Sequence, residues 1–356
     1  CLRGAPRFLN GRYTRNRQRT QDQHQTDRRM HRIVTITLNP AVDRTIRADR
    51  FRIGEHQPAR TLGSHPAGKG VNVSRTLAVL GTPSVCTGFV GRKELAMFEE
   101  YLERAGKGTV TTQLLVVRAR TRDNITITDP TDDTETHLRD VGFSVTRQDV
   151  QRILSKASML AREDSVICIC GSIPPGVTRG DIRSILQACH DNGAHAAIDT
   201  SARVLKALRS DPLWMAKLNH RELAAFANAP TENQEQTVAA ARKLAEKNGG
   251  SVTHVIASRG AEGVVYIGPH HELIGRVFVH PGRINSTVGS GDALLAGILH
   301  ARYNKQPWPD AIVQGLAAAT ANAVARQPGT LDHADIDEFL QLATITNIDP
   351  ENTHES

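Results

Sequence analysis

Short apolar runs alternate along the chain with longer segments whose apolar residues recur at helical spacing. The apolar runs are Ile33–Leu38, Val85–Val90, Val166–Cys170, Ala196–Asp199, Met215–Leu218, Val252–Ala257 and Val264–Ile267. The amphipathic segments between them are Val73–Leu80, Lys93–Ala105, Val150–Ala161, Asp181–Asp191, Glu222–Ala227 and Gln234–Asn248. Strands buried on both faces are near-continuous in apolar residues, and helices connect parallel neighbours. The pattern therefore predicts an α/β protein, a three-layer αβα sandwich with a mostly parallel central sheet.

Two regions break this alternation, and the end of the chain is helical. Residues 44–62 and 112–140 contain runs in which apolar and polar residues alternate, which is typical of half-buried strands. These runs are Thr45–Phe51, Gln113–Val117, Asn124–Thr128 and Thr134–Arg139. We predict that they form a small sheet, which serves as a lid or dimer surface or is a plain extension of the main sheet. Helices are predicted over Asp292–Tyr303, Pro309–Arg326 and Asp332–Ala343, with a flexible end at 346–356.

Composition and charge narrow the class of protein. The 356 residues, 39% of them apolar, can build one large core. The sequence contains no run of eighteen apolar residues, so we predict no membrane-spanning helix. Residues 1–29 carry +6 of the net charge of +7, from eight arginines and two aspartates. The rest of the chain is nearly neutral, which argues against a nucleic-acid partner.

The basic segment 1–29 lacks apolar periodicity, so we expect a disordered tail. Because Met30 directly precedes the first strand-like run, we interpret the tail as an upstream extension without function, with an arm that contacts RNA or a membrane as the alternative. Five cysteines without paired CxxC motifs predict buried thiols, as at Cys168 and Cys170, and no disulfide or metal site. With no export signal, these thiols predict a cytoplasmic location.

The segment Ser286–Asp292 places small residues immediately before an apolar helix. The first N–H groups of a helix have no partner within it and lie at the positive end of its dipole, so a glycine-rich turn there can bind an anion. Asp292 then has two interpretations. It complements the helix dipole, or it acts as a general base beside a bound phosphate, which we favour.

A second turn, Ala67–Gly70, also precedes an apolar-periodic helix. Its spacing from Gly63 imitates a Walker A loop, but Gly70 stands where Ser or Thr should hold Mg²⁺, so we reject that interpretation. This turn has two interpretations. Its backbone and the side-chain amide of Asn72, shortly after it in the helix, bind a polyol, or the turn only begins the helix. Asp43 follows the first strand, where α/β proteins bind ligands, and it binds a sugar hydroxyl or caps its own turn.

Taken together, the motifs resemble those of the ribokinase-like sugar kinases, the phosphofructokinase B family, and within it the branch around 1-phosphofructokinase. The resemblance covers about residues 31–343. It rests on Thr35–Asp43, Ala67–Asn72, Thr121–Asn124, Gly171–Gly176, Lys217–Glu222, Ser258–Gly263 and Ser286–Asp292. It implies an αβα sandwich with a small β-sheet lid that is often a dimer contact, and transfer of the γ-phosphoryl group of Mg-ATP to a primary hydroxyl.

The resemblance also implies a role for individual residues. Asp292 looks like the catalytic base, and the N–H groups of Gly289, Ser290, Gly291 and Asp292 look like the anion hole. The implied sugar contacts are Asp43, Gly68, Lys69 and Asn72, with Arg122 on the substrate's own phosphate and Arg139 as a second candidate. Asn219 and Glu222 would organise Mg²⁺ through water, without a direct protein ligand. Ser258, Gly260 and Gly263 belong to the implied nucleotide loop. In this loop Arg259 either reaches a phosphate or, as we expect, faces water.

The expected function is ATP-dependent phosphorylation of a phosphorylated ketohexose, most simply fructose 1-phosphate to fructose 1,6-bisphosphate. Tagatose-6-phosphate or fructose-6-phosphate kinase activity is an alternative, since a ketohexofuranose carries hydroxymethyl groups at both ends. A catalytically silent sugar-phosphate sensor is the alternative from another class. The resemblance further implies Mg-ATP, a monovalent cation as an optional cofactor, and a homodimer formed through the lid.

Overall fold

Strands and helices alternate along the part of the chain that the structure, a computed structural model, describes: residues 30, 32–246, 249–325 and 329–348. The strands are β1 Arg32–Thr37, β2 Ala41–Arg47, β3 Arg60–Ala67, β4 Ser84–Gly91, β5 Val110–Val117, β6 Arg122–Asp129, β7 Thr134–Arg139, β8 Ser165–Gly171, β9 His195–Thr200, β10 Leu213–Asn219, β11 Val252–Ser258, β12 Val264–Ile267, β13 Glu272–Arg276 and β14 Thr344–Asn347. The helices are α1 Lys69–Val79, α2 Leu95–Gly106, α3 Arg147–Leu160, α4 Arg179–Asp191, α5 Ala202–Leu205, α6 His220–Ala227, α7 Gln234–Leu244, α8 Ser290–Tyr303, α9 Trp308–Val324 and α10 His333–Leu342. The predicted tail 1–29 and most of the predicted flexible end lie outside the described residues.

The main sheet runs in the order β14-β13-β12-β11-β10-β9-β8-β1-β4-β5 within the described residues. Strands β5 to β11 in this order pair in parallel, and β12, β13 and β14 complete one edge in antiparallel pairs. Alternate side chains enter opposite layers: Val34 and Ile36 pack with α3, α4, α6 and α7, whereas Ile33 packs with α1, α8 and α9. The three-layer sandwich with a mostly parallel sheet is confirmed.

The second sheet has the order β3-β2-β6-β7 among the described strands. Its parallel pair is β2 with β6, and β3 and β7 flank them in antiparallel pairs. A small separate sheet is therefore present, but one predicted member is wrong. Gln113–Val117 lies in β5, which pairs with β4 at the edge of the main sheet.

Two further details differ from the sequence predictions. Strand β2 ends at Arg47, and its antiparallel partner β3 extends to Ala67, beyond the predicted limit of residue 62. Thr346, where we expected the flexible end to begin, pairs with Ile274 in the main sheet.

Cys168 and Cys170 are buried, as predicted. No helix in the described part of the chain is long and apolar enough to cross a membrane.

Candidate active site

The turn before α8 has the form that the sequence predicts for an anion site. Gly289 caps the helix in a left-handed conformation, with φ of 79°, and has no side chain to accept from the first N–H groups. The turn is held from below by Asn322, whose amide donates to the carbonyl of Val288 at 2.8 Å and to Oγ of Ser290 at 3.1 Å. The N–H of Ser290 donates to the carbonyl of Thr287 at 3.2 Å. The N–H groups of Gly289, Gly291 and Asp292 have no acceptor further back in the helix, so they are available to an anion.

Asp292 lies in the first turn of α8 and is only 7% exposed. Its Oδ2 accepts a hydrogen bond of 2.8 Å from Nδ2 of Asn72. Burial and the nearby carboxylate of Asp199 raise the pKa of Asp292 to about 6, although Lys217, Lys69 and Asn72 act in the opposite direction. The result is a carboxylate that can accept and hold a proton near neutral pH.

The turn before α1 packs against the end of β1. Gly68 caps α1 with φ of 139°, and a Cβ there would lie 2.8 Å from Cγ2 of Thr37. A residue with a side chain is therefore excluded both by conformation and by space. The turn directs Lys69 and, one helical turn later, Asn72 toward α8.

Two lysines meet on one buried carboxylate at the floor of the site. Asp199 is fully buried; its Oδ1 is 2.5 Å from Nζ of Lys69, and its Oδ2 is 2.6 Å from Nζ of Lys217. Burial alone would raise the pKa of Asp199, but the two ammonium groups hold it below its usual value. A Cβ on Gly291 would lie 2.8 Å from Nζ of Lys217, so this ammonium group lies directly beneath the first turn of α8.

Sequence reasoning missed Asp199 and Lys217 as site residues. Each follows a run of apolar residues near the carboxyl end of a strand, and a buried charge there needs a partner. A charged residue at the end of an apolar strand could therefore have indicated Asp199 and Lys217. It does not show that the two form an ion pair, because β9 and β10 come together only in the sheet.

Asn219 and Glu222 form the start of α6. The side chain of Asn219 accepts from the N–H of Glu222, and the N–H of Asn219 donates to Glu222, both at 2.9 Å. The other carboxylate oxygen of Glu222 is 3.3 Å from Nζ of Lys69. Burial lowers the pKa of Lys69, but Asp199 and Glu222 outweigh it and raise the pKa, so the lysine is charged. Glu222 is thereby joined through Lys69 to Asp199.

The predicted sugar contact Asp43 lies on the small sheet, where Nδ2 of Asn124 donates to its Oδ1 at 2.7 Å. Arg122 is the first residue of β6 in the same sheet, and its side chain reaches the segment that follows β1. Its guanidinium donates to main-chain carbonyls of Asn39, Pro40 and Asp140 at 3.2, 3.3 and 2.9 Å. These bonds use three of its five N–H donors.

The predicted nucleotide loop follows β11 and is adjacent to Asn219, because Ser258 and Asn219 are register partners. Gly260 begins a short 3₁₀ turn that ends before Gly263. Our expectation for Arg259 is wrong. Its side chain is only 7% exposed and bonds to Glu262 and, at 2.6 Å, to Oγ1 of Thr237, so its donors fasten the loop to α7.

The structure thus brings two hydrogen-bonded groups together at the carboxyl end of the parallel strands: Asn72 with Asp292, and Lys69 with Asp199 and Glu222. The charges of Asp199 and Lys69 also act on Asp292. Asp43 and Arg122 approach it from the small sheet. Such an arrangement can hold an anion on the α8 turn and place an alcohol beside a carboxylate base.

Comparison with known proteins identifies the family. Residues 33–336 match the model described as pfkB family carbohydrate kinase. The chain belongs to the pfkB family. A 1-phosphofructokinase of Haemophilus influenzae is 32% identical over 325 residues, which are 90% of this chain and all of that protein. This pfkB kinase is therefore a phosphotransferase whose acceptor is an alcohol group of a carbohydrate.

Solved structures agree on the fold of the pfkB kinase. A possible 1-phosphofructokinase from Thermotoga maritima is 27% identical, has a TM-score of 0.73, and the match covers 90% of this chain and all of that one. Escherichia coli phosphofructokinase-2, solved with substrates and products, is 21% identical, has a TM-score of 0.78, and the match covers 87% of this chain and 98% of that one.

Proposed function

We propose that this kinase transfers the γ-phosphoryl group of Mg-ATP to a primary hydroxyl of a phosphorylated ketohexose. The substrate we favour is fructose 1-phosphate, with fructose 1,6-bisphosphate as the product. The observation that carries the proposal is the buried carboxylate of Asp292, which meets the amide of Asn72 at the start of α8. The Haemophilus influenzae relative, named 1-phosphofructokinase, supports this choice of substrate.

In the proposed reaction the alcohol oxygen of the sugar attacks the γ-phosphorus. The bond from this phosphorus to the β,γ-bridging oxygen breaks, its electron pair leaves with ADP, and Asp292 receives the alcohol proton. The N–H groups of Gly289, Ser290 and Gly291 hold the phosphoryl oxygens during transfer, with the ammonium group of Lys217 beneath them. The hydrogen bonds from Asn322 hold this turn in place, so little reorganisation opposes the proposed transfer.

On the sugar side, Asp43, Gly68, Lys69 and Asn72 contact the sugar hydroxyls. Arg122 supplies its remaining donors to the substrate's own phosphate, because a planar guanidinium suits a phosphate group. Burial lowers the pKa of the Arg122 guanidinium, Asp43 acts in the opposite direction, and the nearby charge of Arg139 lowers the pKa further. Arg139 therefore adds positive charge at the same end of the sugar.

The nucleotide lies along Ser258, Gly260 and Gly263, with Asn219 and Glu222 at its phosphates. Glu222 has a side chain that is 14% exposed, and within the described residues no group of three or more His, Cys, Asp or Glu could hold a metal ion. One carboxylate beside substrate phosphates is a donor set that fits Mg²⁺, which retains most of its waters. Bound there, Mg²⁺ supplies neutralisation of phosphate charge.

The proposal extends to a monovalent cation and to the cellular setting. Escherichia coli phosphofructokinase-2, a protein of the same fold, has been solved in complex with potassium. A rise in turnover when potassium replaces a bulky organic cation would support this part, and equal turnover in both would contradict it. The buried free thiols Cys86, Cys168, Cys170 and Cys189 support a cytoplasmic location.

We also propose a homodimer through the small sheet. On the face opposite Asp43 and Asn124, Ile125 and Leu138 lie directly across from each other, and Leu138 is 52% exposed. Sedimentation analysis should give a mass of two chains, and Leu138→Asp should reduce it to one. A monomeric wild-type protein would contradict this part.

A coupled ADP-release assay over a panel of sugars tests the activity itself. The panel comprises fructose 1-phosphate, fructose 6-phosphate, tagatose 6-phosphate and the unphosphorylated sugars. We expect strong preference for a phosphorylated ketohexose, with fructose 1-phosphate first. Preference for tagatose 6-phosphate or fructose 6-phosphate would select an alternative substrate. Binding of a sugar phosphate without ADP release would favour the sensor hypothesis.

A further inference from the structure

One cross-strand row of the small sheet consists of four polar side chains. His65 on β3 pairs with Asp43 on β2, Asp43 pairs with Asn124 on β6, and Asn124 pairs with Arg139 on β7. Residues directly opposite each other on neighbouring strands project from the same face. The hydrogen bond of 2.7 Å from Asn124 to Asp43 shows that this row is aligned. An imidazole therefore flanks the proposed sugar contact on the side away from Asn124.

The His65 end of the row packs on α2, and α2 is linked to α1, which carries Asn72. The ring of His65 stacks on Tyr101 of α2, with centroids 6.2 Å apart and an angle of 23° between the ring planes. Nη1 of Arg75 on α1 donates to the hydroxyl of Tyr101 at 2.9 Å, and the guanidinium lies over the same ring. Arg75 follows Asn72 by three residues, so both lie on one face of α1. Tyr101 and Arg75 thus link His65 to the face of α1 that carries Asn72, the partner of Asp292.

The surroundings of His65 favour a neutral ring. Burial lowers the pKa of the imidazole, and Arg75 lowers it further, against the opposing effect of Asp43. These two charged groups and the hydroxyl of Tyr101 are the titratable neighbours that the strands and helices around it present. A neutral imidazole carries one donor and one acceptor, so it can bind a hydroxyl in either direction, whereas Asp43 only accepts.

We propose that His65 is a specificity-determining residue whose imidazole binds a hydroxyl of the sugar phosphate next to Asp43. The inference rests on the proposed function, because it needs a phosphorylated sugar on this face of the small sheet. The neighbouring Pro66-Ala67-Gly68-Lys69 segment continues directly into the turn that contacts the sugar. His65 is therefore fixed on both sides, by the strand pairing and by the ring stack.

The test uses His65→Phe, which retains an aromatic ring for Tyr101 and removes both nitrogens. His137→Phe is the matched control, because His137 lies on the same face of the sheet, two residues from Arg139, with a side chain that is 44% exposed. We expect His65→Phe to lower kcat/KM for the sugar phosphate about tenfold, the effect of one lost hydrogen bond, while the KM for ATP stays unchanged. His65→Gln, which retains a donor and an acceptor, should recover part of the loss. If His65→Phe does not fold, as judged by its thermal unfolding, His65→Leu, which also lacks a donor and an acceptor, takes its place in the cycle below.

Monodeoxy analogues of the sugar phosphate identify the contact itself. For one analogue, the wild-type enzyme should lose about tenfold in kcat/KM, and His65→Phe should lose nothing further, because the partner of that hydroxyl is already absent. Additive losses for every analogue, or equal behaviour of the His65 and His137 variants, would overturn this inference alone. A wild-type protein that phosphorylates no sugar phosphate would overturn the proposed function and this inference with it.

Discussion

The amide of Asn72 donates a hydrogen bond of 2.8 Å to the carboxylate of Asp292, across 220 positions of the sequence. This one contact joins the glycine turn before α1 to the anion-binding turn before α8. In the proposed reaction, the alcohol and the phosphoryl group meet where these two turns meet.

The pH dependence of turnover should report the proton on Asp292. Its pKa is raised to about 6 by burial and by Asp199, and a base must be unprotonated to act. The rate kcat/KM for the sugar phosphate should therefore rise with pH through about 6. Lys217→Met removes a positive charge that lowers this pKa, so it should move the acidic limb to higher pH. A limb that stays in place in the variant would contradict the assignment of the limb to Asp292.

The same raised pKa makes Asp292 a source of instability at neutral pH. The folded protein holds the proton more tightly than the unfolded chain, so the favourable contribution is complete below the ordinary pKa near 4 and is lost as pH rises through about 6. Asp292→Asn should increase the free energy of unfolding at pH 8 by about 2 kcal/mol, and change it little at pH 4. Denaturant unfolding at the two pH values measures the difference. Equal effects at both would show that the proton is not the cause.

Arg122 should determine affinity for the sugar phosphate and not the chemical step. Arg122→Ala removes a charged hydrogen bond, so we expect sugar-phosphate binding to weaken by about 1.5–3 kcal/mol with the KM for ATP unchanged. Arg120→Ala is the control, because Arg120 has a 64% exposed side chain and pairs with Asp123. Intact affinity with abolished turnover in Arg122→Ala would show that our assignment of this side chain is wrong.

His254 should make the fold sensitive to acid, far from the active site. It is buried beside Tyr266, 2.9 Å from the hydroxyl, and stacks on Trp308 at 3.8 Å. Burial, with Arg302 and two other histidines nearby, lowers its pKa to about 3, so its contribution to stability is present above pH 6.5 and is lost as pH falls toward 3.

Tryptophan fluorescence measures this effect, since Trp308 is in direct contact with the imidazole. Between pH 6.5 and pH 4 the wild-type protein should lose about 3 kcal/mol more stability than His254→Gln, which does not titrate. His137→Gln, at an exposed position, should follow the wild type. Parallel loss in all three proteins would contradict the role of His254.

The sequence predicts the sandwich well because strands of a parallel sheet are apolar on both faces. The prediction fails for Gln113–Val117 because the strand that contains this run, β5, lacks the continuous apolar pattern. β5 is an edge strand, and its side chains are half-buried, so its pattern imitates that of a strand in an antiparallel sheet. Local pattern cannot distinguish the two cases, because the difference lies in which strand is the neighbour.

The candidate site divides in a similar way. Asp292 and Gly68 can be predicted because each stands in a turn whose chemistry is local. Asp199, Lys217 and His65 could not be assigned, because each obtains its role from a partner on another strand. Arg259 was predicted to face water, but α7 offers Thr237 as an acceptor, which only the fold brings close.

The most direct test of the account is turnover of fructose 1-phosphate by Asp292→Asn, measured as ADP release, with ATP binding measured on the same protein. Asparagine retains the size of the side chain and the acceptor for Asn72 but cannot take the alcohol proton. The account predicts that kcat falls by about 10² or more while ATP still binds. Turnover within a few-fold of the wild type would contradict it.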